Sequence, residues 1–264
     1  METTWRLIDS GPCSAAYNMA MDEAIALSVR CQNAPPTLRL YGWDRLSLSL
    51  GCFQKSADLD LSYCRKNSIP LVRRPTGGRA ILHGDELTYS FSVRTDWEPF
   101  TKGLRESYGS ISAAFRLAFE KIGVNAQWKD QREKGRILVR SPLCFQSSSY
   151  GEIVVDNRKI VGSAQRRWKD GLLQQGTIPY ACDGTTLERI FGAPVSAQDQ
   201  DGAAALRDIT QDFDEVKLKD AIIAAFEEVF GISLPTSHPS PEESHLAQEL
   251  EEQKYLQESW NLGM

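Results

Sequence analysis

The stretch from Leu71 to Phe91 (LVRRPTGGRAILHGDELTYSF) constrains this chain more than any other, because it sets a charged, glycine-containing turn between two strand-like segments. Ile69 to Val72 is a short apolar run. Glu86 to Val93 alternates, with Leu87, Tyr89, Phe91 and Val93 on one face, the period of a half-buried strand. Between the two segments, Gly77 and Gly78 permit positive φ and carry no Cβ, so a ligand can lie directly against backbone and bond to its amides. An isolated Gly-Gly more often only turns a hairpin. Here Arg73, Arg74 and Arg79 surround the pair and His83 follows it. A plain hairpin has no use for that density of cations, which suits an anionic or carbonyl-bearing ligand. The spacing is neither that of a phosphate loop nor that of a dinucleotide fingerprint.

With 264 residues, 41% hydrophobic and 25% charged, the chain is long enough for one large core, or a core with a small appendage. A formal charge of -5 argues against a general nucleic-acid binder. Met1 to Leu7 carries Glu2 and Arg6 and no signal-like apolar segment, and no apolar run is long enough to cross a bilayer, so no membrane partner and a cytoplasmic location are expected. Cys13, Cys31, Cys52, Cys64, Cys144 and Cys182 are scattered without a Cys-x-x-Cys pair, which speaks against a disulfide framework and against a metal site.

Thr3 to Asp9 reads as a strand, and Ser14 can cap a helix whose face is Tyr17, Met21, Ala24, Ile25 and Ser28. Asp22 and Glu23 on that helix are either solvated or paired with an arginine. Thr37 to Tyr41 and Leu46 to Leu50 follow as strands, Asp58 to Asn67 as a short helix, and Glu106 to Ile122 as an amphipathic helix stopped by Gly123. Residues 126–141 are strongly basic, the pattern of a solvated loop or of a docking surface for an acidic partner. Glu152 to Val155 and Lys159 to Gln165 read as strands around Asp156-Asn157, with a further strand pair near Leu172 to Ile178. From Pro179 to Ala205 the composition is that of a loop. Asp214 to Phe230 is helical up to Gly231. These elements predict an α+β domain over 1–234 with a largely antiparallel sheet. Residues 235–264 are expected to be a linker and an acidic terminal helix laid back on that domain through Leu246, Leu250, Leu256 and Trp260.

The run RRPTGGRAILH followed by ELTYS resembles the signature of the lipoate-protein ligase and octanoyltransferase group, relatives of biotin protein ligase. Tyr17 to Ala24, Arg39 to Trp43, Ser49 to Gln54, Arg158 to Gln165 and the pair Trp260-Asn261 extend the resemblance over nearly the whole chain. It implies the biotin/lipoate protein ligase-like catalytic fold, a mixed and largely antiparallel sheet flanked by helices, without the separate accessory domain common among true ligases. Members of the group move a lipoyl or octanoyl chain onto a lysine of a lipoyl domain. Ligases first activate the free acid with ATP; octanoyltransferases start from an acyl carrier protein thioester and pass the chain through an enzyme cysteine.

On this resemblance Cys144, in Leu-Cys-Phe after the basic run, matches the nucleophile, and Lys159 matches the lysine that meets the acyl carbonyl. Without the motif Lys159 reads as an exposed strand-end lysine. Substrate contacts are implied for Arg74, Gly77, Gly78, Arg79, Ala80, His83, Gly162, Ser163 and Ala164, with Leu82, Leu87 and Tyr89 as apolar walls. Gln175 stands where the group often has histidine, which takes proton transfer away from that position and leaves His83 as the polar pocket contact or as a structural residue. Cys52 and Cys182 receive no catalytic role. The implied reaction is octanoyl transfer from octanoyl-acyl carrier protein to a lipoyl-domain protein, the glycine cleavage H protein or a dehydrogenase E2, by a monomer that needs no cofactor. The alternative enzyme is a lipoate-protein ligase using ATP and magnesium, and the alternative outside enzymes is an acyl-binding protein without turnover.

Overall fold

A mixed sheet with helices on both faces organises the computed structural model, which describes residues 3–129, 152–182, 184–191 and 204–263. In chain order the elements are β1 (Thr3–Thr4), β2 (Arg6–Cys13), α1 (Ala15–Arg30), β3 (Thr37–Trp43), β4 (Ser47–Leu50), α2 (Leu61–Lys66), β5 (Leu71–Arg73), β6 (Ile81–His83), β7 (Glu86–Arg94), α3 (Leu104–Lys121) and β8 (Gln127–Lys129). They continue with β9 (Glu152–Val155), β10 (Arg158–Arg167), β11 (Gly171–Pro179), α4 (Gly184–Phe191), α5 (Leu206–Ile209), α6 (Glu215–Phe230), β12 (Ile232–Ser233), α7 (Pro241–Leu250) and α8 (Glu258–Leu262). A π turn at Glu251–Tyr255 joins α7 to α8.

Among the described residues the main sheet has seven strands in the order β2-β3-β7-β11-β10-β9-β8; β2 and β3 run parallel and the other neighbours antiparallel. Beside it, β4 pairs in parallel with β5 and antiparallel with β6. The fold is α+β with a largely antiparallel sheet, as the sequence predicts. Local signals start and stop the helices: Ser14 accepts from the Tyr17 amide, Asp214 from those of Val216 and Lys217, and Gly231 closes α6 at φ 62°.

One face of the sheet presents Leu38, Leu40, Leu87, Tyr89, Phe91, Val93, Leu172 and Ile178 to α3 and α6, where Ile111, Phe115, Phe119, Ile222 and Phe226 complete the main core. Each such side chain contributes about 1.5–3 kcal/mol by burial. The other face is covered by α1, which joins Ala16, Met19, Ala20, Ala24 and Ile25 to Tyr41 and Trp43. The C-terminal elements bind this second layer. Glu243 of α7 takes a bidentate pair from Arg6 of β2 at 2.9 and 2.7 Å, and Lys254 and Tyr255 both donate to Glu23 of α1.

Several expectations need correction. Strand β7 is buried on both faces from Glu86 to Val93, not half-buried, because α1 lies over its polar side: Ser90 Oγ donates to Asp22 Oδ1 at 2.6 Å. The glycine pair turns no hairpin, since β5 and β6 flank β4 and do not pair with each other. Leu172 to Ile178 is one strand between β7 and β10, not a strand pair. The segment read as loop after Pro179 holds α4, which buries Ile190. Leu256 is no anchor; it is 61% exposed, and the π turn brings Tyr255 inward in its place.

Candidate active site

A small pocket lies where the α1 face of the main sheet meets the three-stranded sheet. Met19, Tyr41, Trp43, Thr88, Gly162, Ala164 and Gln175 to Thr177 line one side, and Ser49, Arg74, Ile81 and His83 the other.

Strand alternation decides which side chains reach it. On β10, paired with β11 through Gly162–Thr177 and Ala164–Gln175, the two small residues face the pocket and spare its volume. Ser163 faces the opposite side and hydrogen-bonds Tyr89 Oη at 2.8 Å. Leu87 and Tyr89 likewise belong to the core under α3 and α6, and Leu82 packs into a small cluster beside α2, so the apolar walls expected from sequence lie elsewhere.

Two hydrogen-bonded networks frame the pocket. In the first, Asp22 of α1 is fully buried and accepts from four groups: Arg39 Nη1 at 2.8 Å and Ser90 Oγ at 2.6 Å on Oδ1, Tyr41 Oη at 2.8 Å and Gln175 Nε2 at 2.7 Å on Oδ2. Asp22 is therefore the arginine-paired carboxylate of the two expectations, and a buried charge is tolerated only with such partners. Gln175 Oε1 accepts in turn from Thr76 Oγ1 at 2.7 Å, which reaches into the glycine segment.

In the second network His83 is held on three sides. Its Nδ1 lies 2.6 Å from Glu86 Oε1, its Nε2 lies 2.7 Å from Ser49 Oγ, and Trp43 stacks on the ring at 3.9 Å between centroids. Thr88 donates to the same Glu86 oxygen and accepts from Trp43 Nε1. Burial pushes the Glu86 carboxyl up, but His83 and the hydroxyl donors outweigh it and hold its pKa below the ordinary value of 4.5.

The glycine segment is organised by arginine. Arg74 donates from Nε and Nη2 to Gly77 O, from Nη2 to Arg79 O at 2.7 Å, and from Nη1 to the backbone and side-chain oxygens of Ser49. Arg73 is wholly buried and donates to the carbonyls of Gly51, Gln54, Trp260 and Asn261, with no carboxylate among these partners. The two central cations of the motif thus satisfy carbonyl oxygens of the chain itself. Gly78 sits at φ +89°, and a Cβ on Gly51 would lie 2.0 Å from the Gly78 oxygen. Gly51 thus makes a close backbone approach to the glycine pair, a contact to which the sequence reading gave no role. Arg79 Nη1 is buried with no hydrogen-bond partner among the described residues, and Ala80 packs into the small cluster.

Arg74, His83, Gly162 and Ala164 therefore come together on the pocket, with Gly78 against Arg74 and Ala164. Lys159 lies upstream on β10, not among the lining residues. At 5% exposure it is not a solvated strand-end lysine, and its Nζ donates to Glu152 Oε1 at 2.9 Å. Cys144 and most of the basic run lie outside the described residues. Burial raises the Cys52 thiol pKa, though Arg166 and Arg74 work against it, which disfavours a thiolate there. Among the described residues there is no cluster of His, Cys, Asp or Glu suited to a metal ion, and no helix is long and apolar enough to cross a membrane.

Residues 14–227 match the family of the lipoyl protein ligase A/B catalytic domain. The chain belongs to that family. It is 36% identical to the octanoyltransferase LipM of Kyrpidia tusciae over 98% of both chains, and 34% identical to the octanoyltransferase LipM of Bacillus subtilis, again over 98% of both. A solved lipoate-protein ligase A bound with ATP superposes with a TM-score of 0.80 at 26% identity, covering 100% of this chain and 99% of that one. With end-to-end likeness to octanoyltransferases, the chain is an enzyme of that class within the family.

Proposed function

We propose that the enzyme takes an octanoyl group from an acyl carrier protein thioester, holds it as a thioester on Cys144, and delivers it to a lysine of a lipoyl-domain protein. The glycine cleavage H protein and dehydrogenase E2 subunits are the acceptors of suitable chemistry, and the site of action is the cytoplasm. The observation that carries this reading is the end-to-end likeness to octanoyltransferases.

In the first half-reaction the Cys144 thiolate attacks the thioester carbonyl, a carbon–sulfur bond forms to the enzyme, and the bond to the carrier breaks with release of the carrier thiolate, which takes up the proton that Cys144 gave up on ionising. In the second, the acceptor lysine amine attacks the enzyme thioester, a carbon–nitrogen bond forms, Cys144 leaves as thiolate, and the amine proton is returned to it. The exchange of one thioester for another needs no nucleotide, and amide formation drives the second step. Lys159 would donate to the carbonyl oxygen, where negative charge builds in both tetrahedral intermediates. Its Nζ is ion-paired with Glu152 of β9, and Lys159 precedes the pocket-lining Gly162 on β10.

The reaction class is tested by incubating the enzyme with octanoyl carrier protein and a purified apo lipoyl domain without ATP, and reading the acceptor by intact mass. Octanoylation is expected. Modification that requires free acid, ATP and magnesium would make the chain a ligase instead, and binding without either reaction would make it an acyl-binding protein.

A further inference from the structure

The pocket walls are polar in composition yet closed in what they offer a ligand. Ser49 Oγ accepts from Arg74 Nη1 at 3.0 Å and lies 2.7 Å from His83 Nε2. With Glu86 at Nδ1, the neutral tautomer that carries its proton on that nitrogen leaves Nε2 to accept the Ser49 hydroxyl proton. Thr88 is closed in the same way between Trp43 and Glu86, and Tyr41 and Gln175 by Asp22. Thr177 lines the pocket, but its Oγ1 is buried beside Glu86, without a well-formed hydrogen bond of its own. A chain lying here meets carbon and ring faces.

We propose that Ser49 sets the preference of this pocket for an unsubstituted alkyl chain by occupying His83 Nε2, and that removing its hydroxyl turns the pocket toward a hydroxylated acyl chain of the same length. This deepens the octanoyl-transfer reading and rests on it. The physical reason is the asymmetry of buried hydrogen bonding. A substrate hydroxyl that enters walls whose polar groups are paired or buried loses its water and gains no partner. Once Ser49 is alanine, Nε2 faces the chain unpaired, and a hydroxyl of the right position satisfies it while a plain alkyl chain leaves it orphaned.

The test compares binding of octanoate with that of its mid-chain and terminal hydroxy derivatives by titration calorimetry, alongside transfer from the matching carrier thioesters, in the parent, Ser49→Ala and Ser49→Thr. The parent is expected to bind octanoate about 100-fold more tightly than each hydroxy derivative. In Ser49→Ala that gap should shrink by about 10-fold or more for at least one hydroxyl position, and Ser49→Thr should restore the parent order. Parent binding that does not distinguish octanoate from a hydroxy derivative would overturn the proposal with no variant needed, and so would unchanged ratios in a folded Ser49→Ala. A parent that shows the expected ratios but transfers no octanoyl group would leave this inference standing and remove the transfer reading.

Discussion

Gln175 Nε2 donates to Asp22 Oδ2 at 2.7 Å while Gln175 Oε1 accepts from Thr76 Oγ1, also at 2.7 Å, so one buried amide ties helix α1 to the glycine segment. The glutamine needs no proton chemistry to account for its place. With Arg166 Nη1, which donates to Pro75 O, it links the glycine segment to the main sheet.

Replacing Gln175 with leucine keeps the volume but strips one donor from the Asp22 carboxylate and leaves the Thr76 hydroxyl buried without its partner. A loss of about 1–3 kcal/mol is expected for such unsatisfied groups, read as a lower urea midpoint. The acyl donor KM should rise as well, because the glycine segment loses one of its ties.

Gly78 is expected to resist even the smallest side chain. Its φ of +89° strains any L-residue, and a Cβ there would sit 2.8 Å from Arg74 Nη2, the nitrogen that holds Gly77 and Arg79. Gly78→Ala should therefore lower kcat/KM for the octanoyl donor more than it lowers thermal stability, a comparison made by steady-state kinetics beside calorimetry. Equal kinetics would separate the glycine segment from the acyl chain.

Glu86 gives the site an acid limit. Its carboxyl has a pKa below the ordinary 4.5 in the folded protein, so it contributes stability above that value, and the contribution is lost as pH falls through the lowered folded pKa. Glu86→Gln should be less stable than the parent near neutrality, and the difference should narrow as pH is taken below 4.5. Urea midpoints of both proteins across that range provide the check.

Lys159 cannot be tested by a single substitution, because its removal leaves Glu152 buried without its ion-pair lysine, and breaking a buried pair costs about 3–5 kcal/mol by itself. Lys159→Met with Glu152→Gln removes both charges. If Lys159 meets the acyl carbonyl, the double variant should regain stability over Lys159→Met and still lose about 2.7–4 kcal/mol of barrier lowering. Single-turnover rates for acylation and for release to the lipoyl domain should fall together.

How much of this was legible beforehand follows from what each residue type can report. Caps and stops were visible because Ser14, Asp214 and Gly231 act on neighbouring backbone, within reach of a local reading. The buried polar face of β7 was not, since strict alternation also describes a strand facing water. Its small hydroxyl residues Thr88, Ser90 and Ser92, in place of long charged ones, were the available hint that another element covers it. Ser49 and Gly51 carry no local signal, because their roles arise from contacts with His83 and Gly78 in distant segments. Arg73 binds carbonyls of its own chain and Arg74 does so while lining the pocket, a difference that composition alone does not report.

The central claim is covalent transfer through Cys144, and intact-mass analysis of the enzyme itself tests it most directly. Parent enzyme mixed with octanoyl carrier protein, without acceptor and without ATP, should gain one octanoyl mass that hydroxylamine removes and that the lipoyl domain discharges. Cys144→Ala should bind the donor, gain no mass and modify no acceptor. Turnover by Cys144→Ala at the parent rate would contradict the account.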